Sequence, residues 1–187
     1  SEAERVAEMI SSSLRRGRSP EEVAILYRTN AQSRLLEEQL RNYSIPYRIY
    51  GGLSFYDRAE IKDALAYLRL VINASDDEAF RRVYNTPKRG IGDVTFSTLS
   101  DLANSQHKPL MEVASDHDLM ADALKAGPIK RISDFVELIN QLREAANTGM
   151  TLAEYISYLI LATRLTDMYI DDSVESLSKL DNLNELV

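Results

Sequence analysis

The 187-residue sequence contains no cysteine. Disulfides and thiolate metal sites are therefore excluded, and a reducing, cytoplasmic setting is compatible. Its only two histidines, His107 and His117, fall in a polar stretch. Without thiolates they make a poor zinc site. No apolar run approaches the ~20 residues that a bilayer-spanning helix needs. The acidic, amphipathic start Ser1-Glu2-Ala3-Glu4 is unlike a signal peptide. There is no G-x-x-x-x-G-K-[ST] loop, no H-E-x-x-H pair and no G-x-S-x-G elbow. The carboxylate pairs Asp76-Asp77 and Asp171-Asp172 fall in apparent loops, and Asp76-Asp77-Glu78 reads as a helix start. No catalytic group, metal-ligand set or cofactor cradle emerges, so no independent enzymatic activity is expected.

What is present is a soluble, core-forming composition, 44% hydrophobic and 27% charged. The net charge of −7 normally argues against a nucleic-acid binder. It hides an asymmetry: residues 1–92 carry a net +2 and residues 93–187 a net −9. The cations share the half that holds the one glycine-rich motif. The acidic half reads as a solvated surface or as a face for another protein segment.

Hydrophobic spacing predicts a helix over Glu2–Arg16, with Val6, Met9, Ile10 and Leu14 on one face. Val23-Ala24-Ile25-Leu26-Tyr27 reads as a buried strand of a parallel sheet. A helix over Ala31–Tyr43 follows, capped by Asn30 and carrying Leu35, Leu36 and Leu40. Pro46–Tyr50 reads as a second strand, closed by Gly51-Gly52. After Gly52 only helices are expected: 58–73 (Ile61, Leu65, Leu68, Ile72), 76–84, 93–105, 109–114, 119–125, 128–146 (Ile132, Phe135, Ile139, Leu142), 152–161 and 173–187 (Leu177, Leu180, Leu183). The segment 152–161 is apolar nearly all round, which predicts a central position. The expected class is mainly α: a small α/β slice of two strands with helices, then an all-helical subdomain. The expected domains are residues 1–50 and 51–187.

The stretch Thr86-Pro87-Lys88-Arg89-Gly90-Ile91-Gly92-Asp93-Val94-Thr95 carries the chemistry. Glycines permit a sharp turn and close backbone approach. Free N–H groups at the start of the next helix attract an anion, and Lys88 and Arg89 add full charges. The arrangement suits phosphate rather than base edges. A plain tight turn between helices accounts for the same spacing.

Three ordered segments resemble one family. Val23–Leu36 (VAILYRTNAQSRLL), Pro46–Leu70 (PYRIYGGLSFYDRAEIKDALAYLRL) and Asn85–Gly92 (NTPKRGIG) resemble successive motifs of UvrD/PcrA/Rep-type superfamily 1 DNA helicases. The C-terminal LDNLNELV resembles the stretch that closes their inserted region. The resemblance implies a fragment: residues 1–50 from the second RecA-like motor domain, and residues 51–187 from the helical accessory subdomain inserted in it. It implies a longer protein that uses ATP and Mg to move 3′ to 5′ along single-stranded DNA and unwind duplex. The fragment itself lacks the nucleotide-binding motifs and needs no cofactor.

The resemblance also implies roles. Gly90, Ile91, Gly92 and Thr95 match a helix-hairpin-helix-like turn on duplex phosphate, with Ile91 packed inward and Lys88 and Arg89 flanking it. Arg28, Thr29, Asn30 and Arg34 match a surface facing single-stranded DNA and the motor cleft. The residues alone equally allow Asn30 as a cap and Arg34 as the partner of Glu37 or Glu38. Gly51 and Gly52 are the expected hinge. Tyr47, Tyr50, Phe55 and Tyr56 read as core or hinge packing rather than as a stacking platform. Arg58, Glu60, Lys62 and Asp63 read as surface pairs. The implied partners are DNA at a duplex–single-strand junction, the rest of the helicase and repair or replication proteins, in the cytoplasm at the nucleoid and not at a membrane. The rival reading is a protein-interaction module that docks a partner or the motor domains through its acidic half.

Overall fold

The computed structural model describes residues 1–49 and 54–187. The expected hinge, Gly51-Gly52, and Tyr50 lie outside the described residues. Those residues form α1 (Glu2–Arg15), α2 (Ser33–Asn42), α3 (Ala59–Ile72), α4 (Asp77–Val83), α5 (Asp93–Gln106), α6 (Leu110–Ser115), α7 (His117–Ala121), α8 (Ala126–Ala145), α9 (Leu152–Thr163) and α10 (Val174–Leu186).

The expected α/β slice is absent: no strand occurs among the described residues. Val23–Tyr27 and Pro46–Ile49 take no regular secondary structure, although Val23 itself has extended backbone. An extended segment becomes a strand only when a neighbour takes its backbone N–H and C=O groups, and here the two segments face a groove of about 850 Å3. Val23 and Ile25 pack on a small cluster of Ile10, Leu40 and Ile45, while Leu26 is 94% exposed. The apolar run implies two covered faces, and only one is covered.

The main core is separate and runs from Phe55 to Leu186. Its central helix is α3, packed against α4, α8 and α10. The expected α3 face holds in part: Ile61 is fully buried and Leu65 and Leu68 are half-buried against the core, but Ile72 is exposed, and Ala64, Tyr67 and Leu70 are fully buried as well. The α8 face holds, with Ile132, Phe135, Ile139 and Leu142 all buried. On α9 only one face is covered. Tyr155, Ile156, Leu159 and Ile160 are buried, whereas Leu152 and Leu161 are exposed. On α10 Leu183 is buried with Leu186, but Leu177 is exposed.

A buried polar clasp joins the N-terminal segment to the helical core. The Arg58 guanidinium donates to Asn182 Oδ1 on α10 (2.6 Å) and to Ser33 Oγ on α2 (2.9 Å). Asn182 Nδ2 donates to Glu60 Oε1 (2.6 Å). Beside them the buried Glu37 carboxylate accepts from Ser54 Oγ (2.6 Å) and from the Phe55 amide (3.0 Å). Arg58 and Glu60 are thus interior groups, not a surface pair. Lys62 pairs with Asp57 (3.0 Å), and Asp63 with Arg82 (2.8 Å).

Asp76 caps α4, its Oδ1 accepting from the Ala79 amide at 2.9 Å. That bond, and then the Arg69 guanidinium, hold the Asp76 carboxyl below its ordinary range. A depressed folded-state pKa contributes stability that is present above the unfolded value and lost as pH falls through the folded one. Asp76→Ala is expected to cost about 1 kcal/mol at neutral pH. It should also flatten the fall in stability below about pH 4, as read by urea unfolding across an acid series.

Candidate nucleic-acid interface

The turn between α4 and α5 is assembled by side chains that turn back onto its backbone. Asn85 Oδ1 accepts from the Arg89 amide (2.7 Å). The buried Tyr67 hydroxyl donates to the Thr86 carbonyl (2.6 Å), and burial pushes its phenol well above the ordinary range. The Thr86–Pro87 bond is cis. Arg89 braces the turn from within, donating to the carbonyls of Pro87 (3.0 Å), Thr163 (3.1 Å) and Val83 (3.4 Å). Its guanidinium lies over the rings of Tyr67 (5.7 Å) and Phe135 (5.6 Å). The two flanking cations therefore part company: Arg89 is turned inward, and Lys88 is exposed.

Ile91 is 2% exposed and pins the turn to the main core. Gly90 stands at φ +74°, the left-handed region that glycine enters without strain. Gly92 is the N-cap of α5, with extended backbone and no side-chain hydrogen bond to the helix. The first N–H groups of α5 thus have no intrahelical acceptor and no side-chain cap. The helices α1, α4, α7, α9 and α10 have a side-chain cap, whereas α2, α3, α6 and α8 share the uncapped start of α5. Thr95 is half-buried in the first turn of α5, and Val94 stands 83% exposed beside it. Asp93 is exposed in the same turn and, after burial itself, helps push the Tyr84 phenol up.

Behind the turn, Phe80, Tyr84, Phe96 and Phe135 form an aromatic brace. Tyr84 and Phe96 stack at 4.2 Å between centroids, and Phe80 meets Phe135 edge-on at 5.3 Å. The Arg81 guanidinium lies 5.4 Å from the Phe96 centroid.

The second expected set lies apart, in the N-terminal segment. The Arg28 and Thr29 amides both donate to Gln32 Oε1 (3.0 and 3.1 Å), which opens the turn at Asn30–Gln32 before α2. The Arg28 and Thr29 side chains are exposed. Arg34 pairs with neither Glu37 nor Glu38 but with Glu185 on α10 (3.3 Å), and its guanidinium lies 6.0 Å from the Phe55 centroid. Among the described residues no group of His, Asp or Glu side chains could hold a metal ion, and no helix is long and apolar enough to cross a membrane.

Sequence reasoning missed Arg131 on α8. A Cβ on Gly90 would lie 3.2 Å from both Cδ and Nε of Arg131. Forty positions of sequence separate the two, so no local pattern announces this contact.

The whole chain, residues 1–187, matches the model of the UvrD-like helicase C-terminal domain. It is 41% identical to DNA helicase II of Haemophilus influenzae, over 100% of this chain and 25% of that protein. It is 43% identical to DNA helicase II of Escherichia coli over 89% of this chain and 23% of that protein. With the ATP-dependent DNA helicase PcrA of Staphylococcus epidermidis the identity is 36%, over 100% of this chain and 25% of that protein. The chain spans about a quarter of the length of these relatives. It belongs to the UvrD-like helicase C-terminal domain family.

Proposed function

We propose that this chain is the duplex-gripping part of an ATP-dependent 3′–5′ DNA helicase. The grip is a backbone one: the uncapped N–H groups that open α5 behind Gly90-Ile91-Gly92 take phosphate oxygens. The observation that carries it is the pairing of an inward-pinned Ile91 with exposed glycines and an unfilled N-cap. Lys88 adds charge, Thr95 a hydroxyl, and Arg89 holds the turn in shape. Residues 1–50 belong to the second motor domain and residues 51–187 to its accessory subdomain. Arg28, Thr29, Asn30 and Arg34 face single-stranded DNA and the motor cleft. The rest of the longer protein supplies the ATP and Mg sites, and the work is cytoplasmic, in repair or replication.

Gly92 offers a clean test. A Cβ there meets nothing within 4 Å, and its φ of −76° suits any residue. Gly92→Val is therefore expected to fold as the wild type does. Its side chain then stands where a phosphate must approach. Affinity for a hairpin with a 3′ single-stranded tail, read by fluorescence anisotropy, should fall at least ~10-fold, the scale of losing one or two charge-assisted contacts. Unaltered affinity in the folded variant overturns the reading.

The rival, a protein-docking module, is favoured by one observation. Ile170 and Val174 are 83% and 85% exposed beside Asp171, Asp172 and Glu175. A well-folded chain that binds no DNA even at low salt supports that rival instead.

A further inference from the structure

We infer that Arg131 of α8 is a phosphate-gripping residue of the same interface, and that it adds an outward-facing, unpaired cation there. The inference rests on the backbone-grip reading above. Within the turn, Arg89 is committed to three backbone carbonyls. The exposed Lys88 is offset by the exposed Asp93. Among the exposed side chains of the motif the two charges therefore balance, and the one remaining cation, Arg89, is turned inward.

Arg131 changes that balance. Its Cδ and Nε border the open side of Gly90, 3.2 Å from where a Cβ would stand, a contact tight enough that a side chain there would push the arginine aside by a few tenths of an ångström. The side chain is exposed, and among the described residues it makes no ion pair or hydrogen bond. Its backbone is fixed, because Ile129 and Ile132 on either side are buried in the main core. An arginine held at the turn, with its fork unused by protein, is suited to bidentate contact with a phosphate. The glycine thus has a second use beyond its positive φ: it leaves room for a cation from a distant helix. The ligand class is the phosphodiester backbone of duplex DNA.

Lys130 supplies the internal control. It is one residue away and carries the same charge, but its Nζ is held by both Asp134 oxygens (2.9 and 2.8 Å). The measurement is the slope of log affinity against log salt for the 187-residue chain on a blunt DNA duplex and on a single strand. Each phosphate contact contributes about −0.9 to that slope on duplex. Arg131→Ala should flatten the duplex slope by about one and weaken binding several-fold at low salt. Arg131→Lys should keep most of the slope, and Lys130→Ala should leave it unchanged. Circular dichroism confirms that each variant is folded.

Three results overturn the inference, and they are distinguishable. A wild-type chain that binds no duplex removes the backbone grip and Arg131 together. A wild-type chain whose binding Gly92→Val abolishes, but whose slope Arg131→Ala leaves intact, removes Arg131 alone. An equal loss on Arg131→Ala and Lys130→Ala reduces the effect to net charge.

Discussion

Arg58→Ala is expected to be among the most damaging single substitutions in this chain, costing about 3–5 kcal/mol. Arg58 is 7% exposed, and its fork binds Asn182 on α10 and Ser33 on α2. Both acceptors are themselves 2% exposed. Truncation leaves them without a donor and without water, at about 1–3 kcal/mol for each buried polar group. It also strips a cation from the neighbourhood of Glu60, which is 4% exposed and reached through Asn182. The Phe55 ring loses the guanidinium 5.4 Å from its centroid. In a chain of this size the midpoint of thermal unfolding should fall by roughly 6–20 °C. Arg58→Lys should recover only part of this, because a single ammonium cannot span two acceptors as the planar fork does. The clasp joins segments 25 and 124 residues apart. A second expectation follows: α2 should lose protection against hydrogen exchange before the main core does. A loss under ~1 kcal/mol, within the range of a surface pair, would show that the clasp is not formed.

That clasp was illegible in the sequence for a definite reason. Hydrophobic periodicity assigns charged residues to the outside, and Arg58, Glu60 and Asp63 stood as surface pairs on that logic. Their burial is affordable only because each finds its partner on another element. Nothing local reveals those partners. The same limit hid Arg131, and gave Arg34 a neighbour on its own helix instead of Glu185. Helices were the readable part where one face alone is covered, as on α8 with Ile132, Phe135, Ile139 and Leu142. They were misread in detail where several neighbours surround them. On α3 a three-to-four spacing pointed at Ile72, yet α4, α8 and α10 together bury Ala64, Tyr67 and Leu70. The strands failed for the opposite reason. Val23–Tyr27 has strand composition, but pairing depends on backbone from elsewhere, and among the described residues none comes. Of the turn, the sequence showed the glycines, and the family resemblance implied the inward Ile91. Neither showed that Arg89 points inward.

Phe80→Ala is expected to cost about 3–5 kcal/mol, the usual range for a fully buried phenylalanine. Phe80 is 1% exposed and touches Phe135 of α8 edge-on (5.3 Å) while lying flat beside Phe96 of α5 (6.5 Å). Alanine opens a cavity between α4, α5 and α8. Total stability of domains this size is about 5–15 kcal/mol, so the variant should remain folded in the cold. The consequence for function is sharper than the stability loss. Phe96 lies one turn inside α5, whose first residues form the N-terminus proposed to face phosphate, and its ring is held by Phe80 and Tyr84. Without Phe80 the helix start is less well fixed, and preorganised N–H groups lose their advantage. Leu183→Ala separates the two effects. Leu183 is 1% exposed on α10, so its loss costs about 2–5 kcal/mol without touching the aromatic brace. Both variants are compared well below their unfolding transitions, at equal folded fraction. Phe80→Ala should then bind duplex more weakly than the wild type, and Leu183→Ala should match it. Equal affinities for all three would mean that the aromatic brace holds the fold and leaves the turn indifferent.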